Sequence, residues 1–119
     1  MQRALFKAKR SDGKGWVEGW YCKVYFGTGL QPAIIPIREG VWEPVRVDED
    51  TLCQFTGATD KTGKQIFDYD IVKTPSRTAV VTWNNDRSKY RLKKGSIWYS
   101  FDISDCEVIG NKFDEVCND

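Results

Sequence analysis

Thr78-Ala79-Val80-Val81-Thr82-Trp83, Asn84-Asn85-Asp86-Arg87, Ser88-Lys89-Tyr90-Arg91-Leu92-Lys93 reads as strand, turn and strand. The first six residues are mainly β-branched or aromatic, types that suit a pleated, half-buried surface. Asn and Asp tolerate positive φ, which hairpin turns require. The last six alternate in polarity, with Tyr90 and Leu92 on one face and Lys89, Arg91 and Lys93 on the other. The same grammar extends outward. Lys94-Gly95 is a turn, Ser96 to Ile103 a strand, and Cys106 to Ile109 a last short strand before Gly110-Asn111. Toward the N-terminus, Ile66 to Val72 is β-rich, Asp60-Lys61-Thr62-Gly63 is turn chemistry, and Leu52 to Thr56 is strand-like.

The first fifty residues follow suit. Residues 3–9 alternate, Ser11 to Gly15 turn, and Trp16 to Phe26 form a long aromatic strand or hairpin broken at Gly27-Thr28-Gly29. Ala33-Ile34-Ile35-Pro36-Ile37 is apolar, and its proline predicts a sheet edge. Glu39-Gly40 and Val41 to Val47 predict a further turn and strand, and Asp48-Glu49-Asp50-Thr51 an acidic break. No 3.6-residue period persists for three turns. The expected class is all-β (mainly β), with 63–112 forming a barrel-like meander.

Composition bounds the function. The chain has 119 residues, 40% hydrophobic, with 18 Lys+Arg against 17 Asp+Glu and no His. That core suffices for a globular domain without disulfides or metal, and the balanced charge names no partner. No apolar run reaches the ~20 residues of a membrane helix, and the first ten residues lack a signal-peptide core. We therefore expect a cytoplasmic protein with no membrane partner. Cys22, Cys53, Cys106 and Cys117 show no paired ligand spacing, so reduced thiols are expected rather than a zinc site.

Catalytic patterns fare poorly. Without His the commonest general base near neutral pH is missing, and Ser-His and Cys-His nucleophiles are excluded. Gly57 to Gln65 imitates a phosphate-binding loop, but five residues separate its glycines and Gln65 replaces the needed hydroxyl. Asp60-Lys61-Thr62-Gly63 resembles the phosphorylated-aspartate motif of cation pumps, yet Lys64 stands where that motif has Thr. An ordinary turn accounts for both. Asp48 with Asp50, or Asp68 with Asp70, could share a strand face and hold a metal, though solvated turn carboxylates are far commoner. We expect no enzyme, no cofactor and no small-molecule substrate.

Gln54-Phe55-Thr56-Gly57, Asp60 to Phe67 and Asp70-Ile71-Val72 resemble the YopX family of phage and prophage proteins. Supporting pieces follow in order: Phe6 to Arg10, Trp16-Val17-Glu18-Gly19, Val47-Asp48 to Thr51, and Cys106 to Asn111. The resemblance implies one domain over 1–119. An SH3-like barrel section would occupy 51–119, and an N-terminal β section, 1–50, would pack on it. It implies no catalytic residues. Tyr69 stands where the family usually has a residue tolerant of positive φ, so a different local turn is expected there.

Two surfaces remain. From Lys73 to Gly95 seven basic residues face only Asp86, and Lys89, Arg91 and Lys93 form a ridge able to follow phosphates. The competing reading is a solvated, aggregation-resistant face, neutralised in part by the acidic tail from Asp114. That reading is preferred. The five tryptophans are expected mostly in the core, Trp83 among them, with one or two free for a peptide groove. The expected function is a non-enzymatic module that binds a protein partner or itself. A nucleic-acid-binding accessory protein using Lys89, Arg91 and Lys93 is the alternative.

Overall fold

Alternation becomes strand throughout. The computed structural model describes residues 5–27, 29–37, 43–102 and 104–114. It carries β1 (Leu5–Lys9), β2 (Trp16–Phe26), β3 (Gly29–Pro36), β4 (Val45–Arg46), β5 (Cys53–Thr59), β6 (Gln65–Phe67), β7 (Asp70–Lys73), β8 (Thr78–Asn84), β9 (Lys89–Lys94), β10 (Ile97–Tyr99) and β11 (Glu107–Asn111). A single 3-10 turn, Glu49–Thr51, is the one helical element among the described residues. The all-β class is established. Contacts divide the chain into two units, residues 1–55 and 56–119.

In the first unit the strand order is β4-β3-β2-β1-β5, all antiparallel where paired. Its core joins Ala8, Ile34 and Val47, with Phe6, Val17 and Leu52 packed around them. Gly19 is needed in β2 because a Cβ there would run into the Ile35 carbonyl. The apolar run at Ala33 is not an edge, for β3 pairs with β2 and with β4. Parity explains the tolerance of proline. Pro32 accepts from the Val47 N–H, so its missing donor points toward the short β4 and away from the long ladder with β2. Pro36 has the same parity. Of the strand expected over 41–47, the described residues 43–47 carry strand at Val45–Arg46; residues 41–42 and the turn at Glu39-Gly40 lie outside the described residues.

In the second unit β6 lies beside the later half of β5, and a five-stranded sheet runs β10-β9-β8-β7-β11. Strands β7 to β10 form the expected meander, while β11 returns to pair with β7. Strand order alone does not define an SH3-like barrel. Ile66, Val72, Ala79, Val81, Leu92, Cys106 and Val108 form the buried cluster, with Ala58, Tyr90, Tyr99 and Phe101 against it. Ser96 to Ile103 yields only the three residues of β10.

Tryptophan does not fill these cores. Trp16, Trp20 and Trp98 are half-buried, Trp42 lies outside the described residues, and Trp83 is 44% exposed. Trp83 shares the inward parity of Ala79 and Val81 but sits past the packed layer, against Tyr90 at 5.0 Å in an edge-to-face contact.

Candidate interaction surfaces

Two of the carboxylates that suggested chemistry, Asp60 and Asp70, are held by hydrogen bonds within the fold. Asp60 is buried, and its Oδ1 accepts from the Thr62 N–H at 2.8 Å, the Thr62 hydroxyl at 2.7 Å and the Lys64 N–H at 3.0 Å. Its Oδ2 accepts from the Val108 N–H at 2.8 Å. Burial pushes this carboxyl upward, but the donors, Val108 foremost, outweigh it and hold the group below its ordinary range. The loop resembling a phosphate cradle is therefore a turn whose own acid consumes its N–H groups. Asp70, fully buried, accepts from the Phe67 N–H and from the Asn111 side-chain amide.

Neither proposed carboxylate pair shares a strand face. Asp48 caps the 3-10 turn and accepts from the Asp50 N–H. Asp68 belongs to the turn that precedes β7, where Tyr69 takes φ 69. The backbone thus keeps the left-handed residue, and a tyrosine occupies it. Tyr69 donates its N–H to the Val81 carbonyl at 2.7 Å and accepts from the Lys112 N–H at 2.9 Å. Phe113 packs edge-on to its ring at 5.6 Å, and the Lys112 ammonium lies over it at 5.0 Å. Beside it, Asp68 Oδ1 is buried with no hydrogen-bond partner. Burial, with the neighbouring Asp70 charge, pushes its carboxyl up to about 6 against the Tyr69 N–H and Lys112.

Among the described residues no cluster of His, Cys, Asp and Glu has metal-holding geometry. Cys53 and Cys106 are buried; Cys53 donates to the Thr51 carbonyl, and burial raises the Cys106 thiol. A cleft of about 500 Å³ in the first unit is lined by Arg10, Phe26 and Arg46. Its cations are engaged: Arg10 pairs with Asp12 at 2.8 Å, and Arg46 lies over Phe26.

Two surfaces stand out instead. On β9, Lys89 is exposed while Arg91 and Lys93 are half-buried, opposite Asn84, Thr82 and Val80 of β8. Lys93 is the cross-strand partner of Trp98 on β10, its ammonium over that ring at 5.0 Å. At the tip of the β2–β3 hairpin, Tyr25 and Leu30 are direct cross-strand partners, 73% and 52% exposed. They have the parity of Tyr21 and Ile34, so they prolong the core face beyond its cover. This pair escaped the sequence reading, although counting outward from Gly27-Thr28 as a two-residue turn would have matched them.

Strand-rich units whose buried acids brace turns define a small all-β protein. Residues 32–116 match the family described as YopX protein, and the chain belongs to that family. No curated protein matches it. Among the described residues no helix is long and apolar enough to cross a membrane.

Proposed function

We propose that the chain is a non-enzymatic accessory protein of a phage or prophage that works by binding a protein partner or a second copy of itself. The observation that carries this reading is the Tyr25–Leu30 pair. Two large apolar side chains held opposite each other on an exposed hairpin tip cost solvation unless something covers them. A tyrosine anchor beside an aliphatic neighbour is the composition of binding hot spots. That Asp60 and Asp70 are taken up by backbone and side-chain donors supports a non-enzymatic reading.

The test compares wild type with Tyr25→Ser/Leu30→Ser. Sedimentation over a wide concentration range would reveal self-association lost in the variant. Capture from infected or lysogenic host cells would reveal a specific protein retained by wild type and lost by the variant. A wild-type monomer that retains no protein dependent on these two side chains would reject the reading.

A further inference from the structure

We infer that the outer face of β9 is a binding surface for single-stranded nucleic acid, independent of the hairpin tip in the first unit. Lys89, Arg91 and Lys93 alternate along one strand, so their stems leave the sheet about 6.8 Å apart. That spacing is comparable to successive phosphates on an extended nucleic-acid strand. A rigid sheet fixes it, whereas cations in a loop would have to be ordered on binding.

The sequence reading preferred an ordinary solvated ridge, neutralised in part by the acidic tail from Asp114, and the described residues supply no such pairing. Among the described residues none of the three cations forms an ion pair. Asp114, where the acidic tail begins, accepts from the Asn111 N–H just after β11, at the far edge of the sheet, and the rest of the tail lies outside the described residues. Glu107 is on that same edge strand, three strands from β9, or about 14 Å at ordinary strand spacing. Charges so far apart on a solvated surface are largely screened. Asp86, in the turn before β9, and the exposed Asp102, in the segment after β10, are the acids nearest the row in sequence.

Trp98 makes the surface specific to nucleic acid. Its register opposite Lys93 puts the indole on the cationic face, at one end of the row, half-buried and held on the edge strand β10. The Lys93 ammonium lies over one face of that ring, so a strand whose phosphates draw Lys93 away along β9 can stack a base on it, the combination single-strand binders use. An acidic protein segment would match the charges but gain nothing from the ring plane. A duplex would be too stiff to offer an unstacked base.

The experiment measures fluorescence anisotropy of labelled oligothymidylate, oligouridylate and a DNA duplex against the full chain, with polyglutamate as competitor, over a salt series. Single strands should bind, with log Kobs falling against log salt at a slope of about −2, the value for three phosphates on a single strand. Lys89→Gln/Arg91→Gln/Lys93→Gln should abolish binding. Trp98→Ala should weaken it about five-fold or more at unchanged salt slope, and Trp98→Phe should retain it. Circular dichroism and melting confirm that each variant folds, and Lys89→Gln alone, at an exposed position, serves if the triple variant does not. Tighter binding of DNA or of RNA identifies the strand's source. Duplex preference, equal competition by polyglutamate, indifference to Trp98→Ala, or no binding by folded wild type would each overturn the inference.

Discussion

Val108 donates its N–H to the Asp60 carboxylate at 2.8 Å across 48 residues of sequence. Together with the Lys61 N–H, which donates to the Cys106 carbonyl at 3.1 Å, this bond clamps the start of β11 to the β5–β6 turn. The Asp60 carboxylate is thus a structural knot of the second unit.

Asp60→Asn should cost about 2–4 kcal/mol, because an amide turns one acceptor into a donor aimed at other donors. The folded carboxyl is depressed, so its stabilising contribution is present above the unfolded value near 4 and is lost as pH falls below it. Urea unfolding at pH 7 and pH 3 checks both statements. The gap between variant and wild type should shrink at the lower pH.

Asp68 has the opposite sign. Its folded carboxyl is raised to about 6, so the folded state holds the proton more tightly than the unfolded one. Its contribution is fully present below about pH 4 and fades as pH rises through 6. Asp68→Asn, which mimics the protonated form, should therefore gain on wild type between pH 4 and pH 7. A carboxyl titration followed by NMR should find Asp68 titrating near 6, above the ordinary Asp range.

Tyr69 tests strain against packing. Tyr69→Ala keeps the left-handed backbone and loses the Phe113 and Lys112 contacts, whereas Tyr69→Gly loses the contacts and the strain. Gly should therefore be the more stable of the two by about 1 kcal/mol. Equal stabilities in thermal melts would mean the backbone relaxes.

Trp83→Ala should cost about 1–2 kcal/mol, since the residue is 44% exposed and chiefly contributes its edge contact with Tyr90. A loss of 3 kcal/mol or more, as for a buried aromatic, would place it in the core. Chemical denaturation of the variant is the measurement.

Strand, turn and face were legible because each is local. The alternation at Ser88 to Lys93 gave the correct faces of β9, whereas the turn falls one residue later than Asn84 to Arg87 and takes its positive φ at Ser88, not at an Asn or Asp. What escaped depends on where packing stops. Trp83 has an inward parity, and no pattern in one strand reveals that pairing with β7 stops at Val80, before Trp83 is reached. Tyr25 and Leu30 escaped for the same reason. Asp68 and Asp70 were read as strand neighbours, because nothing in a tyrosine announces positive φ. The prolines of β3 misled because their meaning depends on which neighbour their missing donors face.

Strand β11 also sets an order of assembly. β7 has β8 on one side and β11 on the other, yet its β11 partners, Glu107 to Asn111, are made some forty residues later. During synthesis the β8–β9 hairpin and β10 can form early, since their connections are short and cost little closure entropy. Until Val108 emerges, Asp60 lacks its distant donor and one edge of β7 stays open. A nascent chain stalled before residue 107 would thus display the cationic row of β9 on a half-finished sheet with a sticky β7 edge. Partial chains should be more prone to strand-mediated clumping than the completed one.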